Sequence, residues 1–122
     1  MNAISIAGLI FIGGGLGSLS RYGVGKIALS FYDGKFPIGT LLANTLACLV
    51  LGITLYIFKD RLAESEWIKY LLVIGFCGGF STFSTFSMET VKLMQDGLVL
   101  YAILNILVSI ILGIGILYLL VK

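Results

Sequence analysis

Four stretches without a single charged side chain constrain this chain more than any other feature. They cover residues 1–20, 36–58, 70–88 and 97–121, and each holds 19 to 25 residues. About 20 apolar residues suffice to cross the hydrocarbon core of a bilayer as a helix. Backbone polar groups in lipid have to be satisfied within the segment, so helices are the expected form. The sequence therefore predicts an all-α membrane protein with four transmembrane helices, over approximately 3–20, 36–58, 70–88 and 97–121. Its 122 residues make a single transmembrane domain, 1–122, with short polar connections and no soluble part. Composition agrees: 59% of residues are hydrophobic, against about 45–50% in soluble domains. The first stretch stands where a secretory signal would. It lacks a basic start, however, and runs on into Arg21-Tyr22 rather than a small-residue cleavage site, so it reads as helix one.

Several function classes fall away at once. There is no His, which removes the usual near-neutral proton carrier and the commonest metal ligand. Cys48 and Cys77 sit inside apolar runs and read as small apolar helix residues, not as a disulfide framework. No acidic residue lies in any span, so a carboxylate-based proton or cation carrier has no carrier group. A scattered net charge of +2 gives no nucleic-acid surface. Nothing points to an enzyme.

Orientation in a bilayer normally follows the loops richer in Lys and Arg. Here Lys59, Arg61, Lys69 and Lys122 fall on one side, and Arg21, Lys26, Lys35 and Lys92 on the other. Chance balance among eight charges is one reading. The other is insertion both ways round and antiparallel pairing, which places a two-fold axis in the membrane plane. Assemblies of inverted topology put their site near the midplane, at discontinuous helices.

Span three carries such a candidate, GFCGGFSTFSTFS over residues 75–87. Gly78-Gly79 followed by hydroxyl residues favours unwinding, because Gly costs roughly 1 kcal/mol against Ala in a helix. Unwound backbone at membrane depth is tolerated only where protein or a water-filled cavity surrounds it. The competing reading is that the glycines let two helices approach closely. From Ser81 to Ser87 hydroxyls interleave with Phe83 and Phe86, which share one side at a spacing of three. Ring edges are electropositive, and with Ser81, Thr82, Ser84 and Thr85 they offer an anion hydrogen-bond donors without formal charge.

Span two adds Thr40 and Asn44, four apart on one face, with Thr45 beside them. An amide facing lipid would leave its donors and acceptors unpaired at several kcal/mol, so Asn44 is expected to face a neighbouring helix or an aqueous path. Span four repeats the spacing with Tyr101, Asn105 and Ser109, where interhelical bonding and pore lining fit equally well. The glycine run 13–17 reads as close helix packing that closes helix one, since no strand precedes it to make a dinucleotide loop. Arg21 follows, placed to reach the headgroups or cap helix ends. Residues 59–69 read as a mixed-charge surface loop with Trp67 as an interface anchor.

In the segments GGGLGSLSRY (13–22), PIGTLLAN (37–44) and GFCGGFSTFSTFSMET (75–90), the chain closely resembles the Fluc (CrcB) fluoride channels. The resemblance covers essentially the whole chain, and the FSTFS core behind GFCGG is its most specific part. It implies an antiparallel, dual-topology homodimer with two fluoride pores, exporting cytoplasmic fluoride passively down its electrochemical gradient and so lowering its toxicity. Asn44, Phe83 and Phe86 match the family's pore residues, with Thr82, Ser84 and Thr85 on the same path and Thr40 and Ser109 as further candidates. A structural Na+ at the dimer centre is implied, held by backbone carbonyls matching Gly78 and Ser81 from both chains. Arg21 matches a structural arginine. The implied location is the bacterial cell (inner) membrane, as a multi-pass protein. Two departures stand out: Ala47 lies where the family often has Gly, and Ser81 where Thr is commoner. The first puts local helix packing in doubt; the second matters little to a carbonyl ligand.

A small multidrug exporter shares the four-helix, dual-topology plan but uses a glutamate in helix one, which is absent here. A non-transporting membrane scaffold is the third reading.

Overall fold

The computed structural model describes residues 1–121, and every described element is helical. Lys122, which enters the charge balance and the domain range above, lies outside the described residues. Helix α1 is Ala3–Phe31 and α2 is Ile38–Phe58. Helix α3 covers 68–80: a wide-turned π segment, Ile68–Cys77, continued by one α turn, Gly78–Phe80. Helices α4, Phe83–Gln95, and α5, Val99–Val121, complete the chain. Counting α3 and α4 as one interrupted span, four helical segments among the described residues are long and apolar enough to cross a membrane.

Local chemistry sets the ends. The Asn2 side chain accepts from the Ser5 N–H at 2.8 Å and starts α1. Pro37 precedes α2, its ring already holding a negative φ. Helix α4 ends on Gly97, whose φ of +80° is the left-handed conformation glycine adopts freely. The Leu98 N–H then reaches back to the Leu93 carbonyl at 2.8 Å, closing a helix end of Schellman type.

Helix α1 runs 11 residues beyond the expected end at Ser20, through Arg21 and Lys26. At about 1.5 Å per residue it is about 43 Å long, against a hydrocarbon core of about 30 Å. Its last turns reach past the apolar layer, where charge is tolerated. The same reach carries α4 to Gln95, beyond the expected end at Met88.

The glycines explain how α1 stays helical through its GGGLG run. Gly13 and Gly17 of α1 meet Gly75 and Gly79 of α3, two small-xxx-small faces pressed backbone to backbone. A Cβ on Gly13 or Gly17 would run into the carbonyls of Leu71 or Phe76, and one on Gly79 into the carbonyl of Gly14. A Cβ on Gly75 would lie 3.0 Å from the Gly13 Cα. Helix α2 packs between α1 and α5, and α4 rests on α5 and α2. The compact centre is small: Ala43, Ala47 and Phe80, with Val24 and Phe76 against them. The Ala47 methyl is thus buried without disturbing the helices. Large apolar side chains cover the outside instead, with Ile4, Phe11 and Phe31 each more than four-fifths exposed, as lipid rather than water requires.

Candidate functional site

The interruption in span three is the centre of the site. Ser81 (φ −83°, ψ 157°) and Thr82 (φ −149°, ψ 121°) are extended between two helices. The sequence expectation placed unwound backbone at Gly78-Gly79, but both glycines are helical and the extended pair follows them. The reason is packing. Gly79 is engaged with the α1 backbone, while the side chains of Asn44 and Thr82 supply what the extended residues need.

Asn44, on α2, clasps the Thr82 peptide from both sides. Its Oδ1 accepts from the Thr82 N–H at 2.7 Å and its Nδ2 donates to the Thr82 carbonyl at 3.2 Å. The Thr82 hydroxyl oxygen accepts from the Thr85 N–H at 3.1 Å, an N-cap that starts α4. It also lies 3.3 Å from the Ser84 hydroxyl. In an unbroken helix the N–H of Thr82, Phe83 and Thr85 would serve the carbonyls of Gly78, Gly79 and Ser81. Instead Thr82 is taken by Asn44 and Thr85 by a hydroxyl. The Gly79 carbonyl accepts from Arg21 Nε at 3.3 Å. The Gly78 and Ser81 carbonyls lose their helical donors, and a Cβ on Gly78 would meet nothing within 4 Å. Ser81 itself turns inward, its N–H and hydroxyl both donating to the Cys77 carbonyl at 3.1 and 3.0 Å.

Phe83 and Phe86 stand on the first turn of α4 with ring centroids 6.0 Å apart and planes tilted by 40°. Phe83 is 80% exposed in the single chain, and Phe86 is partly covered.

On one side the site opens into a cavity of about 810 Å³, lined by Thr40, Thr82 and Thr85 among others. Its wall carries Arg21, Lys26, Lys35 and Lys92, all four cations assigned above to one membrane side, against two acids, Glu89 and Asp96. Glu89 Oε1 is buried with no hydrogen-bond partner among the described residues. This joint lining was not legible beforehand, because its charges come from two distant stretches, 21–35 and 89–96, and from helix turns expected to be loop.

The span-four stripe resolves differently. Asn105 is 1% exposed and donates to the Thr90 hydroxyl at 3.0 Å, bridging α5 to α4. Ser109 lies 3.5 Å from Asn105 Oδ1 and does not line the cavity. Asn44, Thr40, Thr82, Ser84 and Thr85 are therefore brought together with the Phe83–Phe86 pair, while Ser109 sits on the α4–α5 side. Thr90, passed over in the sequence, is Asn105's partner; its spacing of four from Phe86 was the available signal.

The arrangement offers an anion N–H and O–H donors and ring edges at membrane depth, behind a net-positive mouth. No group of three or more His, Cys, Asp or Glu side chains gathers among the described residues.

Comparison with known proteins places these residues in context. A family profile described as "CrcB-like protein, Camphor Resistance (CrcB)" matches residues 8–121. A "Fluoride-specific ion channel FluC" from Pyrococcus horikoshii is 45% identical over 120 residues, covering 98% of this chain and 94% of its own. The protein of the same name from Pyrococcus abyssi is 44% identical over 113 residues, 91% of this chain and 89% of its own. Another, from Vibrio parahaemolyticus, is 36% identical over 115 residues, 94% and 91% of the two chains.

Proposed function

The chain belongs to the CrcB-like family, and on that premise we propose that two antiparallel copies of it carry fluoride past Asn44, Phe83 and Phe86. It is a multi-pass membrane protein and a fluoride-specific ion channel, not an enzyme. Flow is passive: fluoride leaves the cytoplasm down its electrochemical gradient, across the bacterial inner membrane, and intracellular fluoride toxicity falls. One observation carries the reading at residue level. An extended pair at membrane depth, Ser81-Thr82, is held by an amide and hydroxyls that carry no formal charge.

The path begins in the cavity mouth, where four cations raise the local concentration of a small anion. Beyond it, Thr40, Thr82, Ser84 and Thr85 offer hydroxyls, Asn44 its second amide hydrogen, and Phe83 and Phe86 their ring edges. Neutral donors replace water around fluoride without holding it as a fixed cation would, so the ion enters and leaves. Ser109 is the remaining pore candidate. Phe83, 80% exposed in one chain, becomes enclosed when a second copy covers it. Lysine and arginine balance favours both orientations, and hence the antiparallel arrangement.

The carbonyls of Gly78 and Ser81 fit a structural Na+ at the centre of that dimer. Both have lost their helical donors to Asn44 and Thr82 side-chain contacts. No carboxylate cluster competes among the described residues. Four neutral carbonyl oxygens, two from each copy, suit a weakly held monovalent cation better than Mg2+ or Zn2+. Arg21 supports the same turn by occupying the Gly79 carbonyl between them.

Fluoride efflux from liposomes tests the activity. Purified protein should release fluoride and transport no ethidium. Ethidium transport would indicate an exporter, and silence to both a scaffold.

A further inference from the structure

The α4–α5 contact is held by one buried polar chain. Ser109 Oγ lies 3.5 Å from Asn105 Oδ1, and Asn105 Nδ2 donates to Thr90 Oγ1 at 3.0 Å. The Thr90 hydroxyl donates in turn to the Phe86 carbonyl at 2.8 Å. Asn105 is 1% exposed and Thr90 6%, so neither has water as an alternative partner. The chain ends on the peptide of a phenylalanine assigned to the ion path.

A helical threonine that bonds the carbonyl four residues back competes there with the backbone N–H. In α4 that carbonyl belongs to Phe86, three residues past Phe83. Helix α4 is short, its N-terminus follows extended backbone, and among the described residues of one chain it rests on α5 and α2. At its start the Asn44 clasp pins Thr82; one turn beyond Phe86 the Thr90–Asn105 pair ties the middle of α4 to α5. Phe86 lies between the two.

We propose that Asn105 is a positioning residue for conduction: acting through the Thr90 hydroxyl, it fixes the turn of α4 that carries Phe86 and so sets where that ring stands. This rests on the reading of Phe86 as a pore residue. Asn105 and Thr90 touch no ion themselves. Ordinary interhelical adhesion would use the same hydrogen bonds without consequence for the ring.

The test combines fluoride efflux per active channel, from liposomes at limiting protein density, with the 19F resonance of 4-fluorophenylalanine at position 86. Thr90→Val keeps the volume and removes the hydroxyl, Thr90→Ser restores it, and Asn105→Leu removes the amide. Thr90→Val is expected to move the resonance and slow efflux about fivefold to tenfold, the change equivalent to one lost hydrogen bond. Thr90→Ser should recover both readouts. Asn105→Leu should match Thr90→Val, and the double variant should be no slower than either, as members of one chain are not additive. If Asn105→Leu does not assemble, the Val and Ser pair decides alone. An unmoved resonance in Thr90→Val overturns the inference. So does a moved resonance with wild-type efflux when Phe86→Ile abolishes flux. If Phe86→Ile also conducts normally, the pore assignment of Phe86 falls, and the role in conduction falls with it.

Discussion

Asn44 and Thr82 are joined twice, the Thr82 N–H donating to Asn44 Oδ1 at 2.7 Å and Asn44 Nδ2 donating to the Thr82 carbonyl at 3.2 Å. One side chain thereby replaces both neighbours that a continuous helix would have given this peptide. The clasp makes the interruption in span three compatible with a lipid surround, and it ties α2 to the start of α4.

Removing the clasp should therefore stop conduction before it unfolds the protein. Asn44→Ala gives up two hydrogen bonds, roughly 1–3 kcal/mol, and fluoride efflux is expected to fall at least about tenfold, a barrier change of about 1.4 kcal/mol. Phe83→Ile should act similarly, by taking away the ring edge. Both variants should still elute as the wild-type oligomer on size exclusion. Wild-type efflux at equal incorporation would place the path elsewhere. Ser109→Ala should be milder, because the Ser109 hydroxyl bonds to Asn105 and lies apart from the cavity.

The glycine contacts predict a graded series. Gly79→Ala and Gly13→Ala place a methyl against backbone carbonyls of the facing helix, an overpacking that typically costs about 1–3 kcal/mol. Gly8→Ala and Gly23→Ala meet nothing within 4 Å and should be neutral or slightly stabilising. Thermal denaturation in detergent would rank them. Equal melting temperatures across all four would deny the backbone-to-backbone packing of α1 on α3.

Dual insertion is open to labelling. With Cys48 and Cys77 replaced, Ala63→Cys in the exposed connection after α2 should react with an impermeant thiol reagent about half from each side of the membrane. Reaction from one side alone would remove the antiparallel pair.

The proposed central cation is tested by exchange. Because a ligand that binds only the assembled state stabilises it, the dimer should melt lower in N-methylglucamine than in Na+, and fluoride flux should decline. Identical melting and flux after full exchange would dismiss the ion.

Much of this architecture was legible because charge is nearly absent from lipid-crossing segments: marking every Lys, Arg, Asp and Glu isolates four spans. Helices α1 and α4 run on past the uncharged stretches. Arg21, Lys26 and Lys92 are helical residues, so a charge in the sequence does not mark the end of a helix. Asn44 was identifiable as an amide in need of partners, yet its partner, a peptide 38 positions away, leaves no periodic trace. Gly78 and Gly79 drew the expected break to themselves, but glycine permits close packing and unwinding alike. Their neighbours in space decide between the two, and here they place Gly79 in packing and the extended backbone at Ser81-Thr82.

The meeting of α1 with α3 also sets an order of events during synthesis. The Gly13–Gly17 face packs on α3, and the matching Gly75–Gly79 face is made roughly sixty residues later. At about 5–20 residues per second, span one waits about 3–12 s in the membrane before span three can reach it. For that interval a nascent helix presents bare backbone to lipid or to the insertion machinery. Helix α2 meets α1 as soon as it is made, but its packing on α5 comes later still. Truncated chains ending before Gly79 should thus be held by the translocon or degraded, while α1 and α2 supplied with the remaining half as a separate polypeptide should recover assembly.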